Sequence, residues 1–203
     1  MSPSAHRNDV NSGSIMQYYN PYFLIATCFG LGKIPKMPGT IGSILAFPVI
    51  FYCLKLIAVL KRYFEAVDPL VFTIGMLLVI ILLLFVIGIF CASKYSQMIG
   101  KNDPQEIIID EVVGQMLTVT LTMPFAAILL KDLWSDQLII ITGIAASFAL
   151  FRLFDIFKPW PIGWLDKNVK GGFGIMLDDI AASVFAIVVY NAALLKLANY
   201  LGQ

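Results

Sequence analysis

Along the 203 residues, long apolar stretches alternate with short segments that hold most of the charge. The longest uncharged run, Pro69 to Ser93, covers 25 residues. About 20 residues suffice for a helix to cross a bilayer. The pattern predicts five membrane segments, at 41–60, 70–92, 112–130, 137–154 and 179–200. A further apolar piece, "NPYFLIATCFGL" at 20–31, is too short to span and reads as re-entrant or interfacial. The expected fold class is all-α, a polytopic integral membrane helical bundle. Residues 20–203 form one expected membrane-embedded domain behind a disordered polar tail over 1–19. That tail shows no apolar core of a cleaved signal peptide.

Composition agrees with this reading. Charged residues make up 13% of the chain, about half the share of a typical soluble domain. Mean hydropathy is +0.84. The net charge of +1 gives no reason to expect a nucleic-acid partner. Cys28, Cys53 and Cys91 are scattered, form no CxxC, and read as small apolar residues.

Short-loop Lys and Arg residues set orientation. With the N-terminus in the cytoplasm, nine of them lie inside: Arg7, Lys33, Lys36, Lys94, Lys101, Arg152, Lys158, Lys167 and Lys170. Five lie outside: Lys55, Lys61, Arg62, Lys131 and Lys196. This topology brings three polar-rich segments to one side. They are "GKIPKMPGTIGS" (32–43), "KNDPQEIIIDEVVG" (101–114) and "FRLFDIFKPWPIGWLDKNVKGGFGIMLDD" (151–179).

Each segment offers chemistry. Pro104 suits a first helical turn, with Asp103 as its cap. That helix would carry Asp103, Glu106 and Asp110 on one face, with Glu111 about 100° away. An acidic helix start complements the helix dipole, but "DE" heading into lipid is costly and marks function. Arg152, Asp155 and Lys158 recur every three residues at the end of the fourth span and neutralise one another, before Pro159 and Pro161 end the helix. Gly171, Gly172 and Gly174 read as a turn with accessible backbone N–H groups. Asp178 and Asp179 follow, adjacent carboxylates that need a positive partner; a hard divalent cation such as Mg²⁺ suits oxygen ligands. In "MPGTIGS", Thr40 reads as an N-cap, Gly39 and Gly42 leave N–H groups open, and Lys33 and Lys36 reach the same anion. Together these residues describe a headgroup-level pocket for one or two metal ions and a phosphate, with a lipid as substrate.

Several alternatives fall away. His6, the only histidine, lies in the polar tail, which argues against a phosphohistidine mechanism. No Cys is followed six residues later by Arg, and no DxDx[TV] or DxxDGxxAR run exists. What remains is carboxylate-held, metal-assisted attack by water, with Lys or Arg stabilising the developing charge. A carboxylate acting as general base or as nucleophile stays open. The rival from another class is an ion-coupled transporter. It expects acids near mid-span and internal repeats, whereas here the acids cluster at one boundary and no repeat is visible.

Three blocks carry a family resemblance: "CFGLGKIPKMPGTIGS", "DPQEIIIDEVVG" and "FRLFDIFKPWPIGWLDKNVKGGFGIMLDDIAA". With them the chain resembles the phosphatidylglycerophosphatase A family over residues 28 to 182. Cys28, where the pattern has a small residue, and the long tail are its departures. The resemblance implies a Mg²⁺-dependent phosphatase of the bacterial cytoplasmic membrane, working on the cytoplasmic side in phospholipid biosynthesis. The implied substrate is phosphatidylglycerophosphate in the bilayer, hydrolysed to phosphatidylglycerol and phosphate. The family's motif acids fall on Asp103, Asp110, Glu111, Asp155, Asp166, Asp178 and Asp179, and its basic residues on Lys36, Arg152 and Lys158. The expected roles are Mg²⁺ binding by Asp110, Glu111, Asp178 and Asp179, and catalysis by Asp103, Asp155, Arg152 and Lys158, with Asp155 orienting or activating water. Phosphate binding is expected from Lys36, Gly39, Thr40, Gly171 and Gly172, joined by Arg152 and Lys158.

Overall fold

The structure, a computed structural model, describes residues 20–201; the tail expected to be disordered lies outside them. Several of the apolar runs begin their helices at a Pro or a polar cap. Helix α1 is Pro21–Ala26, capped by the Asn20 side chain, which accepts the Tyr22 N–H at 2.9 Å. A single 3-10 turn at Leu31–Lys33 follows. Helix α2 is Pro38–Leu60 and α3 is Pro69–Ile99, each with Pro in its first turn, where the missing N–H costs nothing. Gly100, at φ +73°, closes α3 in the left-handed conformation typical of helix ends. Then come α4 (Ile109–Leu130), α5 (Asp136–Phe157), the short α6 (Ile162–Asn168) and α7 (Gly171–Leu201).

Helices α2, α3, α4, α5 and α7 are long and apolar enough to cross a membrane, and no strand occurs among the described residues. The five expected spans are therefore present. The short piece at 20–31 forms α1 and a tight turn packed on α3, not a sixth span.

Helix α4 sits at the centre, against α7, α2, α5 and α3. It keeps Gln115, Thr118, Thr120 and Thr122 inside the bundle. Outward faces carry exposed Phe51, Leu82, Leu83, Val86 and Ile141, as lipid contact requires. Small residues bring the helices close. A Cβ on Gly114 would lie 2.7 Å from the Phe151 ring, and the Ser183 hydroxyl donates to the Gly114 carbonyl at 2.8 Å. With spans alternating in direction, the starts of α2, α4 and α7 and the ends of α3 and α5 share one end of the bundle.

Two expected starts are wrong. Helix α4 begins at Ile109, not at Pro104. The Ile108 N–H donates to the Ala26 carbonyl at 2.9 Å, so residues 101–108 are tied to α1 as a loop. Asp103, Glu106 and Asp110 therefore do not share a helix face. Helix α7 begins eight residues earlier than the 179–200 segment, at Gly171. Of Gly171, Gly172 and Gly174, Gly171 is the one held at positive φ, +74°. A Cβ on Gly172 would collide with the Ile89 carbonyl and lie 2.5 Å from the Ser93 hydroxyl, so this glycine serves the α3–α7 crossing.

Candidate active site

A cavity of about 470 Å³ opens at the shared helix end. The start of α2 supplies Lys36, Gly39 and Thr40; the 101–108 loop supplies Asp103; α4 supplies Asp110 and Glu111. The end of α5 supplies Arg152, Asp155 and Lys158, and α7 supplies Asp178 and Asp179. Segments 36–40, 103–111, 152–158 and 178–179 thus meet around one space.

One carboxylate oxygen from each of Asp110, Glu111 and Asp179 lies within 4.8 Å of the other two. Asp110 Oδ1, Glu111 Oε2 and Asp179 Oδ2 are buried and lack a hydrogen-bond partner. Buried anionic oxygens normally have partners, and a place for a cation is one recognised reason for their lack. An all-oxygen donor set with this spread fits a hard divalent ion, whose oxygens sit about 2.0–2.6 Å from it. Asp178, expected in the same set, lies outside this trio: its Oδ2 accepts from Lys158 Nζ, while its Oδ1 is likewise buried without a hydrogen-bond partner.

Lys158 bridges two acids, donating to Asp166 Oδ1 at 2.8 Å and to Asp178. Burial pushes its ammonium down, but the Asp178 charge and the two hydrogen bonds more than offset this, and it stays protonated well above its usual range. Burial likewise pushes the Asp166 carboxyl up, yet Lys158 prevails and holds it below the ordinary carboxylate range. Arg152 Nη1 donates to Asp155 Oδ2 at 2.5 Å, fixing both side chains at the rim. Burial raises the Asp103 carboxyl, Lys158 and Lys170 pull it down, and Asp166 adds to the rise, which is the net direction.

Lys36 (φ +83°) and Lys158 (φ +40°) hold left-handed backbone conformations and both line the cavity. Such positions cost a non-glycine residue about 1–2 kcal/mol and concentrate at functional sites. Met37 is the N-cap of α2 and Pro38 its first residue, so Thr40 lies inside the first turn and is not the cap. In that position the Gly39 and Thr40 N–H groups lack intrahelical acceptors, the arrangement that receives anions. The Gly171–Gly172 turn, expected to bind phosphate, does not line this cavity. The Gly172 N–H donates to Ser93 Oγ at 2.9 Å, and Gly171 lines a separate space of about 40 Å³ beside Asp103 and Asp166.

The lining also includes residues outside the expected set, among them Met37, Gln105, Ile107, Ile156 and Ile175. Gln115 was also missed. It is fully buried one helical turn beyond Glu111, and neither amide atom has a partner. A lone amide in the uncharged run after "DE" was the available signal. Cys28 offers no nucleophile, because burial, with Asp110 adding to it, pushes its thiol up to about 12.

Phosphatidylglycerophosphatase A sequences match this chain over residues 24–194. The chain belongs to that family. It is 33% identical over 173 residues to the phosphatidylglycerophosphatase A of Escherichia coli K12, covering 85% of this chain and 83% of the relative. The Haemophilus influenzae phosphatidylglycerophosphatase A is also 33% identical, over 85% of this chain and 88% of its own. A Bacteroides thetaiotaomicron protein, 34% identical over 84% of this chain and 91% of its own, carries a provisional name as a phosphatidylinositol-3-phosphatase. No solved structure matches the chain. Membership makes the chain a phosphoric monoester hydrolase with membrane-spanning helices.

Proposed function

We propose that this phosphatase hydrolyses the terminal phosphomonoester of phosphatidylglycerophosphate, giving phosphatidylglycerol and inorganic phosphate for phospholipid biosynthesis. The observation that carries the chemistry is the trio of partnerless buried oxygens of Asp110, Glu111 and Asp179, facing a cavity rimmed by Arg152, Lys158 and Lys36. The family names support the substrate. The excess of Lys and Arg on the site's side supports a cytoplasmic-facing centre in a bacterial inner membrane.

The proposed division of labour follows from position. Asp110, Glu111 and Asp179 hold Mg²⁺, which when bound neutralises charge on the transferring phosphoryl group. Asp178 acts through Lys158, keeping its ammonium aimed at the cavity rim. Lys158, Arg152, Lys36 and the first-turn N–H groups of α2 receive the phosphate oxygens. Asp155, fixed by Arg152, orients the attacking water and takes its proton. Asp103, whose carboxyl burial raises, returns a proton to the leaving glycerol oxygen. The P–O bond to glycerol breaks as the water oxygen bonds to phosphorus, and the two proton movements balance.

The test is phosphate release by purified protein in neutral detergent. Phosphatidylglycerophosphate, phosphatidate and phosphatidylinositol 3-phosphate serve as substrates, with Mg²⁺ or with EDTA. The expected result is Mg²⁺-dependent turnover with highest kcat/KM on phosphatidylglycerophosphate. Full turnover in EDTA after dialysis, or a preference for phosphatidylinositol 3-phosphate, would overturn this reading.

A further inference from the structure

A second cavity, of about 740 Å³, adjoins the first. Lys36, Pro38, Asp103 and Gln105 line both, so the two spaces share a wall. Their chemistry differs. The first is built around carboxylates; the second carries three lysines, Lys33, Lys36 and Lys101, against two acids, Asp103 and Glu106. Its walls are rigidly placed. The backbone at Gly32 packs so closely on the Glu106 carbonyl that no Cβ fits between them, and Ile108 is tied to Ala26. Its margin is apolar: Ile34, 43% exposed, lines it, and Met37, 58% exposed, stands next to the shared wall.

A preformed cationic cavity joined to a phosphate-processing one, with apolar side chains at its edge, suits a ligand with a second anion and a hydrocarbon tail. We propose that this second cavity binds the internal phosphodiester of a lipid carrying two phosphates, with Lys101 and Lys33 as the residues that select it. The inference rests on the substrate reading above and deepens it. The terminal monoester then occupies the carboxylate cavity, and the glycerol between the phosphates crosses the shared wall beside Asp103. Lys33 and Lys101 line only the second cavity, so they touch no reacting atom. They determine specificity.

Lys101→Ala is the variant of choice, because Lys101 is an exposed loop residue whose loss leaves the helices intact. Steady-state kinetics in a neutral detergent compare phosphatidylglycerophosphate with phosphatidate, which has a monoester and no second phosphate. Phosphatidate is read as a substrate, or as a competitive inhibitor if it is not turned over. The expected result is a rise of about tenfold in KM for phosphatidylglycerophosphate, the scale of one lost charge-assisted hydrogen bond, with kcat held within about twofold. Phosphatidate should be bound alike by both forms, and Lys101→Arg should restore KM. An unchanged KM, or equal losses on both lipids, would overturn the proposal. So would an effect that appears only when phosphatidylglycerol is added, since that would assign the lysines to a neighbouring anionic lipid. A wild type inactive on phosphatidylglycerophosphate would instead remove the substrate reading, and this inference with it.

Discussion

Gly39→Ala places one methyl group where the proposed phosphate site meets the proposed metal site. Gly39 is the second residue of α2. A Cβ there would overlap Glu111 Oε1 and lie 2.9 Å from Arg152 Nη1 and 3.1 Å from Nη2. Ordinary contact begins at 3.4 Å, so the guanidinium must retreat by several tenths of an ångström and the Glu111 carboxylate by more. Both groups are constrained: Arg152 is bonded to Asp155, and Glu111 is packed within the buried acid cluster. Overpacking of this kind costs about 1–3 kcal/mol, and the better helix propensity of Ala returns up to about 1. Net stability therefore falls by about 0–3 kcal/mol, and the variant should insert and purify. Catalysis is more sensitive, since a misplacement of about 1 Å costs on the order of 100-fold. The expected outcome is a fall of about 100-fold in kcat with a small change in melting temperature in detergent. Gly75→Ala is the control, because nothing lies within 4 Å of its Cβ position. It should keep full turnover and gain up to about 1 kcal/mol. Full activity in Gly39→Ala would show that Glu111 and Arg152 are not positioned as described, and the reasoning would fail.

Lys158→Gln removes the partner of the buried Asp178 carboxylate and should cost about 2–4 kcal/mol, somewhat less than a fully buried pair because Lys158 is partly exposed. Adding Asp178→Asn should recover part of that loss, whereas strictly additive losses in thermal denaturation would contradict the pairing. Gly172→Ala forces the Ile89 and Ser93 backbone away from α7 and should destabilise by about 1–3 kcal/mol; a melting temperature equal to wild type would refute the close crossing. Asp166 has a depressed pKa, so it stabilises the fold above its unfolded pKa and loses that contribution as pH falls through the folded value. Its contribution should be whole at pH 7 and fade only in acid, below the ordinary carboxylate range. Asp166→Asn should flatten that acid limb of stability against pH, and an unchanged limb would count against the Lys158–Asp166 pair.

The five spans were legible because each is a long apolar run bounded by Pro, Gly or charge. So was the gathering of distant acids at one end, since it follows from alternating helix directions. Errors arose where tertiary contacts decide. The string "NDPQE" has the chemistry of a helix start, yet the bond from Ile108 to Ala26 makes it a loop. "GGFG" reads as an open turn from composition, but Ser93 sits 79 residues away and occupies the Gly172 N–H. Asp178 and Asp179 look equivalent as neighbours in sequence. One helical step rotates them by about 100°, which sends one to Lys158 and leaves the other with Asp110 and Glu111. Gln115 was overlooked because an amide inside a span has no charge to draw notice.

The central claim is that Asp110, Glu111 and Asp179, from two separate helices, share one divalent cation. Titration of Mn²⁺ as a Mg²⁺ surrogate into purified metal-free protein, read by electron paramagnetic resonance, tests it directly. The account predicts saturable binding by the wild type, displaced by Mg²⁺, and binding weakened at least about tenfold by Asp179→Asn in protein that elutes and melts normally. Equal Mn²⁺ affinity in the wild type and in Asp179→Asn would contradict it.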